Sequence, residues 1–188
     1  RAVPPSTEVC FHPVSGFMGL PPARAAGTGA ARACVVGIPF DCGTHPFRVG
    51  SRQGPDAIRE QSRLLRPVDI FRRHGIDNPP EFLRAVDVGN VACHPGDPDA
   101  SYPLIEAGIG AILDAGAIPI SMGGDGAVTL PQLRAVARRF LGCLRGEDIC
   151  CRYGGDEFLV MLHDTDVIRA VLVAERLRKS IAGKPILA

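Results

Sequence analysis

The sequence has no excess of charge of either sign. Its 21 lysines and arginines stand against 20 aspartates and glutamates, for a net charge of +1. That excludes recruitment of a polyanion by bulk electrostatics, so nucleic acid is not an expected partner. A small nucleotide is compatible, because a local site needs only a few arginines. No apolar run reaches the length of a membrane span. The start, with Pro4-Pro5, has no apolar core segment of a secretory leader. The expectation is a cytoplasmic protein that does not engage a membrane. The seven cysteines are odd in number and form no Cys-x-x-Cys pair, which excludes a disulfide scaffold and favours a reduced compartment. The five histidines form no His-Glu-x-x-His or His-x-His pair.

What is present is ordinary globular composition. The 188 residues are 46% apolar and 22% charged, enough for one domain or two small ones with a real core. Residues 1–32 are rich in proline, glycine and alanine and read as an extended arm. Ala33–Phe40 is a nearly continuous apolar run, suited to a strand buried on both faces. A loop from Asp41 to Gln53 follows, and Gly54-Pro55 opens a helix whose face is Ile58, Ser62 and Leu65. Phe82–Val91 reads as a second strand. Pro103–Ala115 reads as a helix with Gly116 as its cap. Ala117–Met122 reads as a third strand, and Pro131–Phe140 as a helix with Leu133, Val136 and Ala137 inward. Strand-helix alternation predicts a three-layer α/β/α arrangement on a mostly parallel sheet. Ligands bind such sheets beyond the carboxyl ends of the strands.

After Phe140 the pattern changes. Two short strands, Asp148–Arg152 and Glu157–Leu162, flank a Gly-Gly tip and predict a β-hairpin. This hairpin either extends the sheet or packs as a separate unit. Asp164-Thr165 then caps a helix from Asp166 to Ile181, with Ala170, Ala174, Leu177 and Ile181 inward. The expected division is 1–140 and 141–188. Two Gly-Gly-Asp turns result, one at Gly123-Gly124-Asp125-Gly126 and one at Gly154-Gly155-Asp156-Glu157-Phe158. One joins a strand to a helix and the other tips a hairpin, so they are not an internal repeat.

Gly37-Ile38-Pro39-Phe40-Asp41, Gly43-Thr44, Arg48-Val49-Gly50-Ser51-Arg52, Gly54-Pro55-x-Ala57-Ile58-Arg59, Val86-Asp87-Val88-Gly89 and Gly123-Gly124-Asp125 occur in order. Together they resemble the ureohydrolase family of the arginase superfamily, within it the agmatinase and guanidinobutyrase type, over residues 10–140. The resemblance implies manganese-dependent hydrolysis of a small guanidino compound to urea and an amine. In that chemistry a metal-activated hydroxide attacks the guanidinium carbon. Asp125 is the manganese ligand this resemblance leaves. The family's turn is Gly-Gly-Asp-His, and here Gly126 stands in the histidine's place. The family's Asp-x-His-x-Asp cluster occurs nowhere in the chain.

Arg145-Gly146-Glu147-Asp148, then Arg152-Tyr153-Gly154-Gly155-Asp156-Glu157-Phe158, then Ala174-Glu175-Arg176-Leu177-Arg178 resemble the GGDEF domain of diguanylate cyclases, over residues 141–185. That resemblance implies GTP conversion to cyclic di-GMP, with Gly154 and Gly155 against the phosphates. Asp156 would be a magnesium ligand and Glu157 an assistant at the reacting hydroxyl, so that both are catalytic. Arg145, Asp148 and Arg176 match the inhibitory cyclic di-GMP site, whose guanine edges and phosphates suit guanidinium and carboxylate partners. The family's upstream Asp-x-Asp-x-Phe-Lys segment is replaced by ureohydrolase-like sequence. Three readings follow: a ureohydrolase-like protein whose ligand set is too short for turnover, a GGDEF-related protein taking a guanine nucleotide, or an inert fusion product. Self-association is compatible with each.

Overall fold

The computed structural model describes residues 16–23, 31–43, 49–64, 75, 79–154 and 157–182. Its centre is strand β1, Ala33–Ile38, buried at every position. β1 lies between β2 (Ala85–Asn90) and β3 (Ile118–Gly123), and both neighbours run parallel to it. A central strand covered on both faces needs no polar side, and that is why its sequence is a continuous apolar run.

β1 alternates between two packed layers. Cys34, Val36 and Ile38 meet helix α2 (Pro98–Asp114) and helix α3 (Thr129–Leu141) through Ile105, Ile109, Ile112 and Ala135. Each buried isoleucine contributes about 1.5–3 kcal/mol. Ala33 and Val35 point the other way and pack with Leu20, Ala85 and Met122. Helix α1 (Gly54–Ser62) and the 16–23 segment cover that side; the Met18 N–H donates to Ser62 Oγ at 2.8 Å.

Element ends differ from the sequence reading for local reasons. α2 starts at Pro98 rather than Pro103, because Asp97 caps it by accepting from the Ala100 N–H and proline fits the first helical position. Pro103 then sits inside the helix. Gly116, at φ 75°, closes it. On α1 the expected inward Ile58 is exposed, while Arg59 and Ser62 are buried; Leu65 lies outside the described residues. On α3, Pro131 and Ala135 are the buried residues, and Leu133, Val136 and Ala137 are half-buried.

The C-terminal part is a separate two-stranded antiparallel sheet, β4 (Ile149–Arg152) with β5 (Phe158–Met161), followed by helix α4 (Val167–Ala182). The hairpin does not extend the parallel sheet. α4 is capped by Asp166, whose carboxylate accepts from the Arg169 N–H at 2.8 Å, so the cap is one residue beyond the expected Asp164-Thr165 pair. Ala170, Val173 and Leu177 are half-buried and Ala174 is exposed. α3 touches both parts. Its Phe140 meets Phe158 edge to face, with ring centroids 5.1 Å apart. Its Arg139 donates to the Ser180 carbonyl at 2.7 Å and also pairs with Asp114 of α2.

Candidate functional site

The carboxyl ends of β1 and β3 meet at one corner. Gly124 passes so close to β1 that a Cβ there would lie 1.7 Å from the Phe40 carbonyl oxygen, so only glycine fits. The next N–H, of Asp125, donates to that oxygen at 3.1 Å. Asp125 then spends both carboxylate oxygens on backbone. Oδ2 accepts from the Cys42 N–H at 2.8 Å and Oδ1 from the Ala127 N–H at 3.0 Å. Gly126 opens a 3-10 turn, and a Cβ on it would meet nothing within 4 Å. Manganese, which the sequence resemblance implies, needs several carboxylates and imidazoles around it. Among the described residues no grouping of three or more histidine, cysteine, aspartate or glutamate side chains could hold a metal ion. The residues at this corner do not fit such a centre.

Beside Asp125, Asp41 is buried and organises the following loop. Its carboxylate accepts from the Gly50 and Arg52 N–H groups, each at 3.1 Å, and from the Arg52 guanidinium. That guanidinium holds the Asp41 carboxyl well below the usual carboxylate range. Burial pushes the other way, and the two N–H groups add to the lowering. Burial raises two core thiols, Cys34 at the amino end of β1 to about 11 and Cys93 to about 12. Cys42 is raised by burial and then by the adjacent Asp125 carboxylate.

A second polar cluster was not among the residues the sequence singled out as a site. Arg59 of α1, 1% exposed, lies against Asp87 of β2, 4% exposed. Its Nε and Nη2 reach the two Asp87 oxygens at 2.8 and 2.9 Å, and Nη2 also donates to the Gly89 carbonyl. Nη1 bonds Asn90. Asp87 accepts further from the Phe17 and Gly89 N–H groups. The signal available in the sequence was a lone arginine on an inward helix face and a lone aspartate inside an apolar strand. Buried charges of opposite sign have to find each other.

The residues matched to the GGDEF pattern lie in the C-terminal part. Gly154 and Glu157 are at the hairpin tip, where the Tyr153 N–H donates to the Glu157 carbonyl at 2.9 Å. Gly155 and Asp156 lie outside the described residues. Arg145 and Arg176 line one open cavity of about 310 Å³ with Gly142, Cys143 and Leu144. Arg176 donates to the Cys143 carbonyl. Asp148 is turned to backbone: Oδ2 accepts from the Arg145 N–H at 2.9 Å, and Oδ1 from the His163 N–H at 3.3 Å.

The model of the arginase family matches residues 31–151, which takes in the sheet, its helices and the strand-end corner. The chain belongs to the arginase family. Guanidinobutyrase of Pseudomonas aeruginosa is 34% identical over 130 residues, covering 69% of this chain and 40% of that protein. Guanidinopropionase of the same organism is 34% identical over 165 residues, covering 86% of this chain and 49% of that protein. The structure of proclavaminate amidino hydrolase from Streptomyces clavuligerus superposes with a TM-score of 0.53 at 30% identity, covering 72% of this chain and 42% of that one. The arginase-family chain thus spans less than half the length of these relatives. A second model, the GGDEF domain of diguanylate cyclases, matches residues 129–187. The two matches share residues 129–151, the stretch that includes α3 and all of β4 but Arg152.

Proposed function

We propose that this arginase-family chain does not hydrolyse guanidino compounds and keeps the strand-end corner as a structural joint. One observation carries the reading. The residue after Asp125 is Gly126, without a ligating side chain, while both Asp125 oxygens are engaged by backbone N–H groups of Cys42 and Ala127. The segment after α3, where the family's remaining ligand cluster belongs, forms the β4–β5 hairpin instead. Asp125 then ties the start of the 41–53 loop to the turn after β3 and ligates no metal. The test is metal analysis after dialysis against manganese, paired with urea release from agmatine and 4-guanidinobutyrate. Sub-stoichiometric manganese and no urea are expected; one manganese per chain together with urea production refutes the reading.

A second reading rests on the cavity that Arg145 and Arg176 share. Two arginines lining one cavity are residue types that suit the phosphates and guanine edges of cyclic di-GMP. Asp148 holds the loop that carries Arg145. Calorimetry with cyclic di-GMP should give heat with the natural chain and none with Arg145→Ala. Equal heats for both remove this assignment. In either reading Asp156 and Glu157 act without the upstream segment that completes a cyclase, and GTP turnover is not expected. The division into 1–140 and 141–188 is retained as part of this proposal, and sequencing the transcript across codons 138–148 tests whether the two parts are encoded together.

A further inference from the structure

α4 carries an apolar face that nothing among the described residues covers. Val167, Ile168, Val171 and Leu172 are 61–80% exposed. Their spacing places them on one side, over the first two turns. The packed side is elsewhere on the helix, at Ala170, Val173, Leu177 and Ser180. Charge along the exposed side is not uniform. The entry to the helix carries the exposed carboxylates Asp164 and Asp166, the latter paired with Arg169, and its last turns carry Arg176, Arg178 and Lys179 against one carboxylate, Glu175, which pairs with Arg178 and Lys179.

We propose that this face is where two copies of the chain associate, α4 against α4 in antiparallel orientation. Antiparallel pairing lays the four apolar side chains of one copy on those of the other. It also brings the acidic entry of each helix toward the basic end of its partner. Parallel pairing would set like charge against like. An anionic membrane surface is disfavoured by the same pattern, because Asp164 and Asp166 flank the apolar turns. The contact is isologous and closes as a two-fold pair. Its apolar area is on the order of 500 Å² per copy against ~800 Å² per partner in a standard interface, so the association is weak and concentration-dependent.

Sedimentation or light scattering over a concentration series tests this. The natural chain should rise from monomer toward twice that mass. Leu172→Glu, at an exposed position where the monomer's packing is not involved, should raise the dissociation constant by about tenfold or more by placing a carboxylate in the apolar contact. Its circular dichroism should not change. Leu159→Glu, on the exposed hairpin face, should leave association intact. Asp164→Lys with Asp166→Lys should weaken it, and adding Arg178→Glu with Lys179→Glu should recover it. A mass that stays monomeric at every concentration overturns the proposal. So does association that Leu159→Glu abolishes and Leu172→Glu spares, or a charge reversal that fails to recover.

Discussion

Replacing Arg59 by alanine is the sharpest test of how this fold is held together. Among the described residues Arg59 is the largest fully buried side chain, and its guanidinium joins α1 to β2 through Asp87, Asn90 and the Gly89 carbonyl. Truncation leaves the Asp87 carboxylate buried with, among the described residues, the Phe17 and Gly89 N–H groups as its remaining partners. Breaking a buried pair in this way costs about 3–5 kcal/mol. A domain of this kind has about 5–15 kcal/mol in total. With a urea dependence of about 2 kcal/mol per molar, a loss of ~4 kcal/mol moves the unfolding midpoint down by about 2 M. The assay is urea unfolding followed by circular dichroism, for Arg59→Ala, Asp87→Ala and the double variant Arg59→Met with Asp87→Leu. The double variant should recover part of the loss, since it leaves no unpaired charge but still strips partners from Asn90, the Gly89 carbonyl and the Phe17 and Gly89 N–H groups. A midpoint shift below about 0.5 M for Arg59→Ala, equivalent to ~1 kcal/mol, would show that water reaches Asp87 and that the pair is not a buried anchor.

Four further outcomes are expected. Gly124→Ala should destabilise by about 2 kcal/mol or more, because its Cβ has no room beside the Phe40 carbonyl; urea unfolding checks it. Gly126→His should fold normally, since the position is open, and should still bind less than one manganese per chain by metal analysis. Asp41 stabilises the fold through a lowered carboxyl pKa, so its contribution is complete above the unfolded value of about 3.9 and is lost as pH falls below it. Acid titration of Asp41→Asn should therefore show a flatter loss of stability below pH ~4 than the natural chain. Among the described cysteines, a brief maleimide pulse at neutral pH should label exposed Cys151 before buried Cys34 and half-buried Cys93, whose thiol pKa values are raised; mass spectrometry locates the label.

The order of strands and helices was legible in the sequence because periodicity reports burial directly. β1 is the clearest case, an unbroken apolar run that became the central strand. Helix ends were less legible. The start of α2 depends on Asp97 and Pro98, which a search for apolar spacing passes over in favour of Pro103. α1 was misread at Ile58 because its inward face is held by a charge; apolar spacing is blind to a buried arginine. At the strand-end corner the absence of a histidine was plain from Gly126. What Asp125 does instead was not, since its partners are backbone N–H groups of residues 42 and 127, and backbone partners leave no mark in a sequence pattern. Arg145 and Arg176 stood out in the sequence by resemblance alone, and the cavity they line carries no mark in it. The inward turn of Asp148 was not legible either, because it depends on where His163 arrives after the hairpin.

The position of α3 decides how this protein can be taken apart in the laboratory. A fragment ending before Thr129 strips the cover from one side of α2 and leaves Asp114 without Arg139. A fragment beginning after Leu141 leaves Phe158 without Phe140 and the end of α4 without the Arg139 contact at Ser180. No single cut yields two intact pieces. A dissection that aims to study either part alone has to carry residues 129–141 in both fragments, so the useful expression boundaries overlap instead of abutting.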